Sequence, residues 1–218
     1  MSAFFVSDET NIKDVIQINT DKHITIADLI INCDVNLKLM KYLSKTIKYS
    51  QKIKHLILNS DINVESMKRL SYFIKNNQTI TELHLDYVIN VKSIKYLSKG
   101  IKDNKTITEI NFGCEINYES MKYLIKAIND NQTIRLLTFW CKLDFKTIKY
   151  LSRVIKNNKT IKKIFLYDIY SKNNVKYILK SLEYSEITID LHNACNNTHY
   201  NYLKKIISIN KKMDEEKK

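Results

Sequence analysis

One phrase returns along most of this chain at intervals of 27 residues. It consists of Thr-Ile followed by two apolar residues at alternate positions, and it is most regular after Thr79, Thr106, Thr133 and Thr160. A period of this length indicates a solenoid, in which each repeat packs only against its neighbours and stacking creates one continuous core. The period constrains the fold more strongly than any other feature of the sequence.

Each repeat contains a strand pattern followed by a helix pattern. An apolar doublet with a spacing of two indicates a short strand with one buried face. A set such as Met67, Leu70 and Ile74 follows at i, i+3 and i+7, which is one apolar face of a helix of about three turns. The doublets are Leu29/Ile31, Leu56/Leu58, Leu83/Leu85, Ile110/Phe112, Leu137/Phe139, Ile164/Leu166 and Ile189/Leu191.

Short polar residues stand where these helices should begin and end. Side-chain oxygens before each helix can accept a hydrogen bond from a free amide of the first turn. The predicted N-caps are Asn36, Asn63, Asn90, Asn117, Asp144, Ser171 and Thr198. Asn77, Asn104, Asn131 and Asn158 follow the helices, and because Asn tolerates the left-handed conformation that ends many helices, we expect that conformation there.

The pattern resembles the leucine-rich-repeat family, and most closely its ribonuclease-inhibitor-like class with a helix in every repeat. The matching residues are runs such as Ile80-x-x-Leu83-x-Leu85, and the resemblance covers roughly residues 24–209. The family usually has Asn or Cys shortly after the strand, and Cys33, Cys114 and Cys141 share one column here. The resemblance implies an α/β leucine-rich-repeat solenoid of about seven repeats. It implies a curved shape with a parallel sheet on the concave side, helices on the convex side, and a role in binding proteins.

Length and composition point to one intracellular domain. With 218 residues, 44% of them hydrophobic, the chain can bury a single core. We expect a cap segment with a helix over residues 1–23, the repeat domain over 24–210 and a charged tail over 211–218. No signal-peptide pattern or membrane-spanning apolar run is present, and the four Cys do not form a disulfide pattern, so a reducing, cytoplasmic setting is expected. The absence of Pro and the abundance of Lys, Asn and Ile resemble repeat proteins from AT-rich genomes, such as those of amoebal giant viruses.

The net charge of +13 is arranged along the predicted helices. One column consists of Lys41, Lys68, Lys95, Lys122, Lys149 and Lys176. Neighbouring helices pack about 8–10 Å apart, so these lysines merge into one basic surface. Such a surface can attract nucleic acid or an anionic membrane. The same lysines are also what the solvent-facing side of a Lys-rich solenoid would carry in any case.

The predicted concave face has two zones of different chemistry. Its polar zone contains His55, Glu82, His84, Asp86, Glu109 and Asn111. Its apolar zone contains Leu136, Trp140, Lys163, Phe165 and Tyr167. Large aromatic side chains on an exposed sheet are typical of interface anchors, so this zone is the predicted protein-binding site. We also expect Phe4 and Phe5 of the cap segment to cover the inward-pointing Ile30 and Ile57.

The sequence contains little that favours catalysis. His55 and Glu82 occupy one column, but they lack a nucleophile, a glycine-rich turn and a pocket-forming loop. No phosphate-binding or dinucleotide-binding motif is present. We therefore expect a non-enzymatic protein-interaction module without metal, cofactor or small-molecule substrate. The alternative is a polyanion binder that works through the lysine column.

Overall fold

A computed structural model describes most of the repeat region. The described residues are 2–6, 26–32, 37–49, 52–60, 62–87, 90–113, 116–167, 174, 177–178 and 187–192. The predicted helix near residues 11–18, the seventh helical segment and the tail over 211–218 lie outside them. None of the helices within these ranges is both long and apolar enough to cross a membrane.

Eight strands form one parallel sheet in chain order. They are β1 (Ser2–Val6), β2 (Ile26–Ile31), β3 (His55–Leu58), β4 (Glu82–Leu85), β5 (Glu109–Phe112), β6 (Leu136–Phe139), β7 (Lys163–Tyr167) and β8 (Thr188–His192). Five helices of 13 residues lie between consecutive strands from β2 to β7. They are α1 (Leu37–Tyr49), α2 (Val64–Asn76), α3 (Val91–Asp103), α4 (Tyr118–Asp130) and α5 (Phe145–Asn157). The predicted α/β repeat solenoid is therefore confirmed, with strands on one side and helices on the other.

The predicted apolar doublets form the sheet side of the core. The register aligns Leu56 with Leu83 and Leu58 with Leu85, and the same 27-residue offset continues through β7. Ile164 pairs with Ile189, so the last offset is shorter by two residues. The doublet members and the apolar residues of the helices, such as Leu97, are buried in one cluster. Each repeat thus closes the core of the repeat before it.

The segment Ser2–Val6 is an additional strand rather than a cover. Phe5 pairs in parallel register with Ile30, and 51% of its surface is exposed. The expectation that it lies over Ile30 is therefore wrong: it extends the same row of side chains by one strand. Val6 points to the other side of the strand and is fully buried, which explains why β1 docks at this edge of the sheet.

Four predicted N-caps are confirmed. The side-chain oxygens of Asn63, Asn90, Asn117 and Asp144 each accept a hydrogen bond from the amide three residues later, over 2.7–3.0 Å. These bonds satisfy donors that the first turn of a helix otherwise leaves without partners. The predicted caps at positions 36, 171 and 198 lie outside the described residues.

The asparagines after the helices differ from the prediction. Asn77, Asn104 and Asn131 have φ values between −80° and −68° with ψ near 145°, which is extended backbone and not the left-handed conformation. Their side chains explain the repetition instead. The Oδ1 atom of Asn104 accepts from the amides of Thr106 and Ile107, at 2.8 and 2.7 Å. Its Nδ2 atom donates to the carbonyl of Ile74 at 2.6 Å, so the side chain joins the segment before β5 to α2, the helix of the preceding repeat.

Candidate protein-binding surface on the sheet

The side chains that point away from the core form three rows, which together we call the sheet face. The first row contains Asp28, His55, Glu82, Glu109, Leu136 and Lys163. The second contains Phe5, Ile30, Ile57, His84, Asn111, Thr138, Phe165 and Asp190. The third follows the strand ends and contains Asn32, Asn59, Asp86, Gly113, Trp140 and Tyr167. Neighbours in a row are about 4.8 Å apart at the backbone.

The predicted apolar zone is assembled in the structure. The rings of Trp140 and Tyr167 stack with centroids 3.9 Å apart and an interplanar angle of 20°. Trp140 remains 52% exposed, whereas Leu136, Phe165 and Tyr167 are half-buried. The stack holds the indole in place, because a ring packed face to face on a neighbour loses rotational freedom before any partner arrives.

Lys163 lies within the apolar zone and contacts two neighbouring side chains of the sheet face. Its Nζ atom is 4.2 Å from the centre of the Phe165 ring and 2.7 Å from the Oδ2 atom of Asp190. The cation therefore contributes to holding the Phe165 ring, and its charge is matched within the protein. Asp190 was not part of the predicted site, although it stands between Ile189 and Leu191 and pairs with Phe165.

Five of the six residues in the predicted polar zone, all except Asp86, form a connected network. His55 contacts Asp28 through Nδ1 and lies 3.4 Å from Glu82 through Nε2. Glu82 is also 3.4 Å from Nε2 of His84. Asn111 extends the network to Glu109: its Nδ2 atom donates to Glu109 Oε1 at 3.0 Å and lies 3.2 Å from His84 Nε2. The predicted polar zone contained every member of this network except Asp28, which precedes Leu29 as His55 precedes Leu56 and so occupies the same column.

This network offers carboxylate oxygens and imidazole nitrogens on a half-buried surface. Within the described part of the chain, no group of three or more His, Cys, Asp or Glu side chains is arranged to hold a metal ion. The contacts instead orient each polar group towards its neighbours, as expected of a rigid hydrogen-bonding surface.

The helix side carries the predicted lysine column. Lys41, Lys68, Lys95 and Lys122 are exposed and Lys149 is half-buried, while Lys176 lies outside the described residues. Three of these ammonium groups lie against tyrosine rings: Lys95 is 5.9 Å from the centre of Tyr123, Lys122 is 5.5 Å from Tyr118, and Lys149 is 5.8 Å from Tyr177. Lys122 is also 3.3 Å from Glu119, and this hydrogen bond raises the pKa of the lysine.

Ion pairs between neighbouring helices reduce the positive charge of the same side. Lys75 is 2.8 Å from Asp103, and Lys102 is 3.0 Å from Asp130. The hydrogen bond from Lys75 lowers the pKa of the Asp103 carboxyl, and the hydrogen bond to Asp130 raises the pKa of Lys102. Part of the basic surface predicted from the lysines is thus matched by carboxylates one repeat further along.

Comparison with known proteins gives a likeness of fold. No family model matches the chain, and no curated protein matches it. Among solved structures, it is similar to leiomodin-1 actin-binding site 2, with 21% sequence identity and a TM-score of 0.47. That match covers 68% of this chain and 90% of the leiomodin chain. At this level of similarity nothing about binding carries over to this chain.

Proposed function

We propose that this protein is a non-catalytic interaction module that binds a protein partner through the sheet face. The observation that supports this most strongly is the exposed Trp140–Tyr167 stack. Leu136 and Phe165 lie on the same face of β6 and β7, and a contiguous apolar patch on a soluble protein often marks an interaction site. Trp and Tyr are also the residues that most often supply the energy of protein interfaces, because they bury a large area at a low entropy cost.

The polar zone has a second role in this proposal. Its carboxylates and imidazoles would pair with polar groups on the partner and set its orientation along the sheet. Groups of this kind contribute more to specificity and association rate than to raw affinity. The division into an aromatic anchor and a polar orienting region needs no metal, cofactor or small-molecule substrate.

The alternative is polyanion binding through the lysine column. It is supported by the exposure of Lys41, Lys68, Lys95 and Lys122. It is weakened by the ion pairs Lys75–Asp103 and Lys102–Asp130, since phosphate groups would have to compete with the acidic partners. The two readings differ in salt dependence, because binding to a polyanion releases counterions and weakens steeply as salt increases.

The test is affinity capture from a lysate of the cells that produce the protein naturally. The bait proteins are the wild type, Trp140→Ala/Tyr167→Ala, Lys68→Ala/Lys95→Ala, and Tyr72→Ala. Tyr72 is a matched control because it is an exposed aromatic residue on the helix side, 64% exposed. Each capture is performed at low and at high salt.

We expect a protein that is retained at high salt by the wild type and by the Tyr72→Ala and lysine variants, and that is lost with Trp140→Ala/Tyr167→Ala. Nucleic acid retained at low salt and lost with Lys68→Ala/Lys95→Ala would instead assign the function to the helix side. Capture of the same protein by all four baits would contradict the sheet-face proposal.

A further inference from the structure

The type of side chain in the third row of the sheet face changes between β4 and β7. Backbone hydrogen bonds continue one residue beyond the strands, from the amides of Asp86, Gly113 and Trp140 to carbonyls of the preceding repeat, at 2.8–3.0 Å. Consecutive positions in this row are therefore Asp86, Gly113, Trp140 and Tyr167, each about one strand spacing from the next. The row presents a carboxylate, a position with no side chain, and then two aromatic rings.

The two faces of the Trp140 indole have different surroundings. One face stacks on Tyr167. The next position in the opposite direction along the row is Gly113, which has no side chain to cover the second face. The 52% exposure of Trp140 agrees with this one-sided stacking.

The Asp86 carboxylate occupies the space above Gly113. A β-carbon on Gly113 would collide with Oδ1 of Asp86, so that oxygen lies directly over the glycine. Asp86 is exposed, and among the described residues no side chain forms an ion pair or a hydrogen bond with its carboxylate. The Asp86 carboxylate therefore lies at the row position next to Trp140, on the side of the indole that Tyr167 does not cover, and we call this place the Gly113 notch.

We infer that the Gly113 notch receives a basic side chain of the partner, with arginine favoured over lysine. This inference rests on the proposed function and specifies the chemistry of the partner. A guanidinium can lie flat on the indole while its N–H groups donate to the Asp86 carboxylate. Lysine can supply the charge but lacks the planar group that stacks on a ring.

The charge of the sheet face agrees with a basic partner. Its described side chains include five carboxylates, those of Asp28, Glu82, Asp86, Glu109 and Asp190, and one lysine, Lys163. The chain as a whole has a net charge of +13, so this face is acidic on an otherwise basic protein. Complementarity of potential therefore favours a positively charged segment here and disfavours nucleic acid on this side.

The probe for this inference is a phage library of random dodecapeptides selected on the full-length protein. Recovered peptides are then measured against Asp86→Asn and Trp140→Leu. Glu65→Gln serves as the matched control, because Glu65 is an exposed acid on helix α2 and remote from the sheet face. Circular dichroism establishes that each variant is folded. One recovered peptide is also synthesised with citrulline, the neutral analogue of arginine, in place of its arginine.

We expect arginine to be enriched among the recovered peptides. Affinity should fall about tenfold on Asp86→Asn, as it should on the change from arginine to citrulline. The two changes together should cost little more than either alone, because both remove the same contact. Glu65→Gln should leave affinity unchanged.

The peptide measurements distinguish a failure of the arginine inference from a failure of the sheet-face proposal. Peptides that lose binding with Trp140→Leu but show no basic enrichment and no dependence on Asp86 would overturn the arginine inference and leave the sheet-face proposal standing. Peptides that bind Trp140→Leu as well as the wild type would contradict both.

Discussion

The asparagine after α3, Asn104, connects three parts of the molecule. Asn104 is fully buried, and its side chain accepts from two amides of its own repeat and donates to the carbonyls of Ile74 and Asn77 in the repeat before. An Asn here is required because no other short side chain combines an acceptor with two donors. The repetition of this residue was visible in the sequence, but its inter-repeat bonds were not, since they depend on how two repeats pack.

Replacing Asn104 with Ala should lower the free energy of unfolding by about 3 kcal/mol. The change removes the Asn104 partner of the Thr106 and Ile107 amides and of the Ile74 and Asn77 carbonyls, and a buried group left without a partner costs roughly 1–3 kcal/mol. The measurement is urea denaturation followed by circular dichroism. The control is Asn76→Ala, because Asn76 is exposed at the end of the same kind of helix. Equal midpoints for the two variants would contradict the role of the side chain.

At the scale of elements, helices α2 and α3 approach closely at Gly100. A β-carbon on Gly100 would collide with the backbone oxygen of Ser71, and the Ser71 hydroxyl donates to the carbonyl of Tyr96. The corresponding residue one repeat later is Ala127. The sequence showed a glycine within a helix, but only the packing of the two helices explains why it is tolerated.

Gly100→Ala should therefore destabilise the protein, although alanine is the better helix former by about 1 kcal/mol. We expect a net loss of about 1–2 kcal/mol in the free energy of unfolding, because the helices must separate to admit the methyl group. Lys99→Ala, at an exposed position of the same helix, is the control and should change stability little. A raised melting temperature for Gly100→Ala would show that the helices do not pack this closely.

The ion pair between α2 and α3 should give a small, pH-dependent contribution. The hydrogen bond from Lys75 lowers the pKa of Asp103 from its ordinary value of 3.8. A carboxyl with a lowered pKa stabilises the folded state above 3.8, and the contribution is lost as the pH falls through the lowered value. The side chain of Asp103 is 42% exposed, so Asp103→Asn should cost less than about 1 kcal/mol at neutral pH.

Urea denaturation of the wild type and Asp103→Asn at several pH values tests this pair. The difference should vanish in strongly acidic solution and shrink at high salt, because screening weakens exposed ion pairs. A difference that persists in acid would assign the effect to packing.

At the scale of the whole molecule, β1 forms the first strand of the sheet and pairs with β2. The repeats predicted β2 to β8, because period and apolar alternation recur in each of them. The repeat pattern did not predict β1. The run Ala3-Phe4-Phe5-Val6 shows neither helical spacing nor alternation of apolar and polar residues, and it lies outside the 27-residue repeats. Likewise, the columns identified Trp140 and the polar zone, but the Gly113 notch depends on where the Asp86 side chain lies.

Deleting residues 2–6 should lower the free energy of unfolding by at least about 2 kcal/mol and promote self-association. The deletion removes the fully buried Val6 and leaves one edge of β2 without a hydrogen-bonded neighbour. Urea denaturation and light scattering measure the two effects. Phe5→Ala is the control, since the exposed Phe5 ring should contribute little. An unchanged midpoint and a monomeric deletion variant would contradict a structural role for β1.

The central claim is that the sheet face binds a protein through the Trp140–Tyr167 stack. Its most direct test is the dissociation constant of the partner obtained by affinity capture, measured for the wild type and for Trp140→Ala/Tyr167→Ala at low and high salt. We expect Trp140→Ala/Tyr167→Ala to bind this partner roughly thirtyfold or more weakly than the wild type at both salt concentrations. Equal affinities for the two proteins, together with a steep loss of wild-type binding at high salt, would contradict it.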